Sequence, residues 1–202
     1  MKGCFSVSQN SKKITVYDLV TVGLLAAIIF VATSVLKIGP IPTPAGPTQF
    51  KVANALCLLF AMLFGKWRGG LAAGIGSALF DLTNPAFTAS APFTLVFFFL
   101  MAFICGQISH AGGREGKNRR WNLAGAIAGA VAYIILNTGK SIILLMLAGS
   151  AFGPALAANT TKLITSGVNA LFAVVVSVLL APALRAALEK AGIMQNLHGA
   201  RC

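Results

Sequence analysis

Acidic residues are almost missing from this chain: four Asp and Glu stand against sixteen Lys and Arg in 202 residues. Charged residues of both signs reach only 10%, where a soluble domain carries about 25%. That scarcity excludes an ordinary water-soluble domain. Histidine (two) and cysteine (four) are sparse too. Cys57 and Cys105 fall inside apolar runs, and Cys4 and Cys202 lie near the chain ends, so neither a disulfide framework nor a metal site is expected. Chemistry within a bilayer needs a carboxylate pair, a histidine–metal cluster or a nucleophile with a base. Asp81 is the single acidic residue placed clearly at membrane depth, and His110 and His198 both fall at cytoplasmic edges. An enzyme is therefore not expected. A nucleotide loop is missing as well, because "GGREGKNRR" at 112–120 lacks the G-x-x-x-x-G-K-[ST] spacing.

What the chain does have is hydrocarbon. Hydrophobic residues make up 57% and mean hydropathy is +0.83, so the reading is an all-α integral membrane protein. Apolar stretches long enough to cross ~30 Å as helices recur from end to end. Six transmembrane helices are expected, at roughly 16–37, 51–65, 68–84, 92–110, 121–147 and 157–183. They leave little room for anything else, so residues 1–202 read as one membrane domain with tails at 1–15 and 186–202. The polar, basic opening "MKGCFSVSQNSKKIT" leads directly into the first helix, and no cleavable signal peptide is expected.

The net charge of +12 has a topological explanation. Twelve of the sixteen basic residues cluster before helix one, in the turns 66–68 and 114–120, and after helix six. The positive-inside rule makes that side cytoplasmic, with both termini on it. Nucleic acid is not an expected partner; the lipid bilayer is.

Four lysines remain: Lys37, Lys51, Lys140 and Lys162. Lys140 sits in the greasy run "YIILNTGKSIILLML", about 28 Å up its helix from Trp121 at ~1.5 Å per residue. Tyr133, Asn137, Lys140 and Ser141 share one helical face, and so do Asn159, Lys162, Ser166 and Asn169 on the next helix. Polar groups in lipid turn inward or toward water. Two such stripes imply a shared polar cavity opening outward; the plainer alternative is hydrogen bonding from helix to helix. Asp81, near the outer end of helix three, either reaches interfacial water or belongs to a site. Four lysines against one aspartate favour an anionic or carbonyl-rich small molecule. The segment "KIGPIPTPAGPTQFK", 37–51, holds four prolines and forbids a regular helix. It is a lid at the cavity mouth or a plain connector. Small residues four apart, at Gly23/Ala27, Gly65/Gly69, Gly70/Gly74 and Gly125/Gly129, allow close helix packing.

Residues 47–108 carry a resemblance. A proline-rich loop, a short helix, a glycine-rich hairpin around "FGKWRGG", the run "GSALFDL", and a helix opened by Pro92 and Thr94 follow in order. Together with "GLLAAIIFVAT" in helix one, this pattern resembles the substrate-binding (S) components of energy-coupling factor (ECF) vitamin transporters. The resemblance implies high-affinity capture of a vitamin or related metabolite outside a prokaryotic plasma membrane. It also implies partners: a transmembrane coupling (T) protein and two ATPase subunits, which consume the ATP, so that this chain needs no cofactor of its own. By resemblance Asn137, Lys140, Asn159, Lys162 and Asn169 are candidate substrate contacts, with Lys51, Asn54, Asp81 and Thr94 as weaker ones. Gly23, Ala27 and Ala32 on helix one would meet the coupling protein, although Gly23 replaces the first alanine of the family motif. Riboflavin, pantothenate, folate and pyrimidine precursors all suit the polar set. A stand-alone carrier is the competing class; the chain shows no convincing internal repeat of the kind such carriers often carry.

Overall fold

The computed structural model describes residues 16–43 and 48–191. Helix α1 (Val16–Val35) leads into a two-stranded antiparallel hairpin, β1 (Lys37–Ile41) and β2 (Thr48–Lys51). Helices α2 (Ala53–Phe64), α3 (Lys66–Thr83), α4 (Ala91–His110), α5 (Arg119–Leu147), α6 (Phe152–Ala158) and α7 (Thr160–Lys190) follow.

The expected long helices are present with shifted ends. Helix one stops at Val35, and helix two starts at Ala53 because 48–51 are a strand. Helix six begins at Thr160 after a separate short helix and runs to Lys190, so residues 186–190 are helix and not tail. Among the described residues, four stretches are long and apolar enough to cross a membrane: Val16–Val35, Thr88–Gly113, Arg119–Leu147 and Thr160–Lys190. At 12 residues, α2 is about 18 Å long, short of the hydrocarbon thickness. Its residues are buried nearly throughout, from Ala53 to Leu63, and it packs against α3, α4 and α7. It is the apolar axis of the bundle. Large apolar side chains on α1, α5 and α7, among them Leu24, Ile135 and Leu171, face outward. In water such a belt would be a liability; hydrocarbon solvates it.

Close helix contact is achieved with glycine. A Cβ on Gly74 of α3 would meet the Leu95 carbonyl oxygen of α4 at 2.8 Å, and one on Gly129 of α5 would meet the Met101 carbonyl oxygen at 2.5 Å. Helix α4 is thereby gripped from both sides, which gives the expected Gly70/Gly74 and Gly125/Gly129 pairs their function. Packing is the main source of cohesion between helices in lipid.

The segment 37–51 amends the all-α expectation. Lys37 pairs with Lys51 and Ile38 with Phe50; the register then slips before Ile41 meets Thr48. Gly39, at φ +121°, and Pro40 lie at the slip, where a missing N–H and a left-handed backbone do no harm. Residues 44–47 of this loop, and the tails 1–15 and 192–202, lie outside the described residues.

Most of the basic clusters meet at one end. Arg68 in the first turn of α3 is ion-paired with Asp18 of α1. Arg185 of α7 donates to the Glu115 carbonyl in the α4–α5 turn. Lys51, Asp81, Lys140 and Lys162 gather around a cavity away from these turns.

Candidate functional site

The cavity lies between β2, α2, the end of α3, the start of α4, and the facing stripes of α5 and α7. The space inside it and around its mouth amounts to about 650 Å³, open solvent included.

Its first fixed point is Asp81, in the last turn of α3 and 2% exposed. A buried carboxylate needs partners, and it has two: the Lys51 ammonium at 3.1 Å and the Thr94 hydroxyl, which donates at 2.5 Å. The interfacial-water reading of Asp81 is thereby corrected. Lys51 also lies 5.0 Å from the Phe80 ring centroid and 5.8 Å from that of Phe98, within cation–π range. It is a buried ion-pair partner.

The second feature is a pair of ammonium groups whose hydrogen-bond partners among the described residues are neutral hydroxyls. Lys140 of α5 donates to the Ser90 hydroxyl at 3.1 Å and lies 4.7 Å from the Phe93 ring centroid. Lys162 of α7 donates to the Ser141 hydroxyl of α5. Since Asp81 neutralises Lys51, these two carry the cavity's net positive charge.

The third is the attachment of the hairpin. Asn169 of α7 accepts from the Lys51 backbone N–H at 3.0 Å and donates to the Gln49 carbonyl at 2.9 Å. Phe50, on the opposite face of β2, sets its ring edge-on to Phe172 at 5.4 Å. The strand is therefore tied to α7 by main chain and ring, and to α3 by the Lys51–Asp81 pair.

Eight of the nine expected substrate residues line this one cavity: Lys51, Asn54, Asp81, Thr94, Asn137, Lys140, Lys162 and Asn169. Asn159 does not. It joins α6 to α7, 1% exposed, and its amide donates to the Ala155 carbonyl at 2.9 Å. Its periodicity with Lys162 arises because it stands one residue before the helix that carries the stripe. Sequence reasoning missed Gln49, Ser90 and the walls formed by Phe87, Phe93, Phe97 and Phe98. Phenylalanines in a membrane helix look like any others; only the pairing of β2 with β1 brings Gln49 to the wall.

On α1, Gly23 and Ala27 are exposed, with nothing near a Cβ built on Gly23. Ala32 is half-buried and, five residues beyond Ala27, lies about 140° further round the helix. It belongs to a different flank from the Gly23/Ala27 surface.

A multi-pass helical bundle with a lysine-bearing, phenylalanine-walled cavity is a membrane protein built to hold a polar small molecule. The chain belongs to the ECF-type riboflavin transporter S component family, whose model matches residues 13–186. It is thus a vitamin transporter S subunit, and the family is one of transporter components, not of enzymes. Over 107 residues the chain is also 32% identical to an uncharacterised protein in the gap 3' region of Pyrococcus woesei, covering 50% of this chain and 71% of that protein.

Proposed function

We propose that this protein captures riboflavin, or a close flavin relative, from outside a prokaryotic cell and delivers it inward together with a coupling protein and two ATPases. On this reading all six expected helices lie in the plasma membrane, with the short α2 enclosed by the others. Both termini are cytoplasmic, in keeping with the positive-inside distribution of basic residues. Gly23 and Ala27 present a smooth surface to the coupling protein, ATP is used by the partner subunits, and this chain holds no cofactor.

The observation that carries the proposal is the contrast inside the cavity. Lys51 is neutralised by Asp81, whereas Lys140 and Lys162 rest on serine hydroxyls beside aromatic walls. A flat, carbonyl-rich ring with a polyol chain meets each of these: rings against phenylalanine, carbonyl oxygens against ammonium groups, hydroxyls against Asn137 and Ser166.

The test is to purify the protein in detergent, denature it and identify released small molecules by mass spectrometry, followed by titration of emptied protein with riboflavin. Stoichiometric riboflavin, or tight binding on re-addition, is expected. Protein that releases a different vitamin and ignores added riboflavin overturns the flavin assignment.

A further inference from the structure

Gln49 is 5% exposed on the cavity wall, yet neither atom of its side-chain amide has a hydrogen-bond partner among the described residues. The same holds for the Oδ1 atom of Asn54, 6% exposed on the first turn of α2 and lining the same cavity. Buried amides left unpaired carry a penalty of roughly 1–3 kcal/mol each, and native folds seldom keep them without a use. Two at one cavity form a vacant hydrogen-bonding set of one donor and two acceptors.

The main chain around Gln49 is, by contrast, anchored to α7. Both ends of the Asn169 amide are spent on β2, at the Gln49 carbonyl and the Lys51 N–H. Gln49 and Lys51, two apart on one strand, share the cavity face, and Lys51 is pinned to Asp81. A side chain with free polar atoms on an immobilised backbone is the arrangement a selective contact requires.

We infer that Gln49 is the specificity-determining contact for a ring lactam. Its amide presents a donor and an acceptor side by side, the complement of an adjacent ring N–H and C=O, and Asn54 accepts a further N–H or O–H nearby. Asn169 is then a positioning residue that acts through β2 and does not itself touch the cargo. This rests on the flavin reading, since the pyrimidine edge of a flavin carries such an N–H between two carbonyls.

The experiment pairs two ligands with two proteins. Riboflavin and 3-methylriboflavin, in which the ring N–H is capped, are titrated into detergent-purified wild type and Gln49→Leu, with monodispersity and thermal midpoint as folding controls. Wild type is expected to bind the methylated ligand at least ~10-fold more weakly, because a site built around a hydrogen bond rejects a ligand lacking it. Gln49→Leu is expected to bind riboflavin at least ~10-fold more weakly and to lose that discrimination. Wild type that binds both ligands equally overturns the assignment even if the variant fails to fold. So does a folded Gln49→Leu that keeps full discrimination. If wild type binds neither ligand, the flavin reading itself has failed and the assignment falls with it; binding by wild type separates the two kinds of failure.

Discussion

The Lys51 ammonium and the Asp81 carboxylate, 30 positions apart, meet at 3.1 Å inside the bundle. The contact joins the hairpin to α3 and removes one positive charge from the cavity. Breaking such a pair from one side leaves a stranded charge, and replacing both partners does not. Asp81→Asn is expected to destabilise the protein by about 3 kcal/mol, and Lys51→Met combined with Asp81→Leu to recover most of that loss. Thermal midpoints of Lys51→Met, Asp81→Leu and the double variant in one detergent decide; simply additive effects would contradict the coupling.

Lys140 and Lys162 should behave differently, because their partners are neutral. Lys140→Met removes the proposed donor to cargo without stranding a charge. Riboflavin affinity is expected to fall about 10- to 100-fold, the equivalent of one charged hydrogen bond, with the thermal midpoint nearly unchanged. A titration showing wild-type affinity would remove Lys140 from the site.

Helix α1 offers the reverse pattern. Ala27→Trp adds bulk on an exposed face remote from the cavity, so riboflavin titrations should match wild type. Co-purification with the coupling protein should be lost. Retention of the full complex would exclude this face as the docking surface.

The glycines separate into two kinds. Gly129→Ala drives a methyl group into the Met101 carbonyl and should destabilise by ~1–3 kcal/mol, the range of overpacked cores. Gly139→Ala, on the same helix with nothing within 4 Å of the added Cβ, should be neutral or stabilising by up to ~1 kcal/mol. Equal thermal shifts for both would contradict the close-packing account.

Much of the site was readable before any fold was known, because helical period places side chains on faces without help from tertiary structure. Asn137, Lys140 and Ser141 on α5, with Lys162 and Ser166 on α7, fall into register by counting alone. Hydropathy likewise located the long helices, although it merged α6 with the approach to α7 and so drew Asn159 into the stripe. What counting could not supply was anything fixed by long-range contact. The prolines of 37–51 ruled out a helix but did not disclose that Lys37 pairs with Lys51. The face of Asn169 suits a cargo contact, and counting gives no sign that its amide also bonds a strand 118 residues earlier in the chain. Gln49 gives no periodic signal either, because what marks it is an amide without a partner among the described residues.

The hairpin that walls the cavity is fastened to two different helices, through Lys51 to α3 and through Asn169 to α7. A fastening of this kind acts on time as well as on affinity. If cargo enters and leaves past β2, neither event outpaces the release of those bonds, so loading and escape slow together. A rare molecule, once caught, would then outlast many chance encounters with the open mouth, and a machine that pulls α3 and α7 apart would discharge it in a single movement.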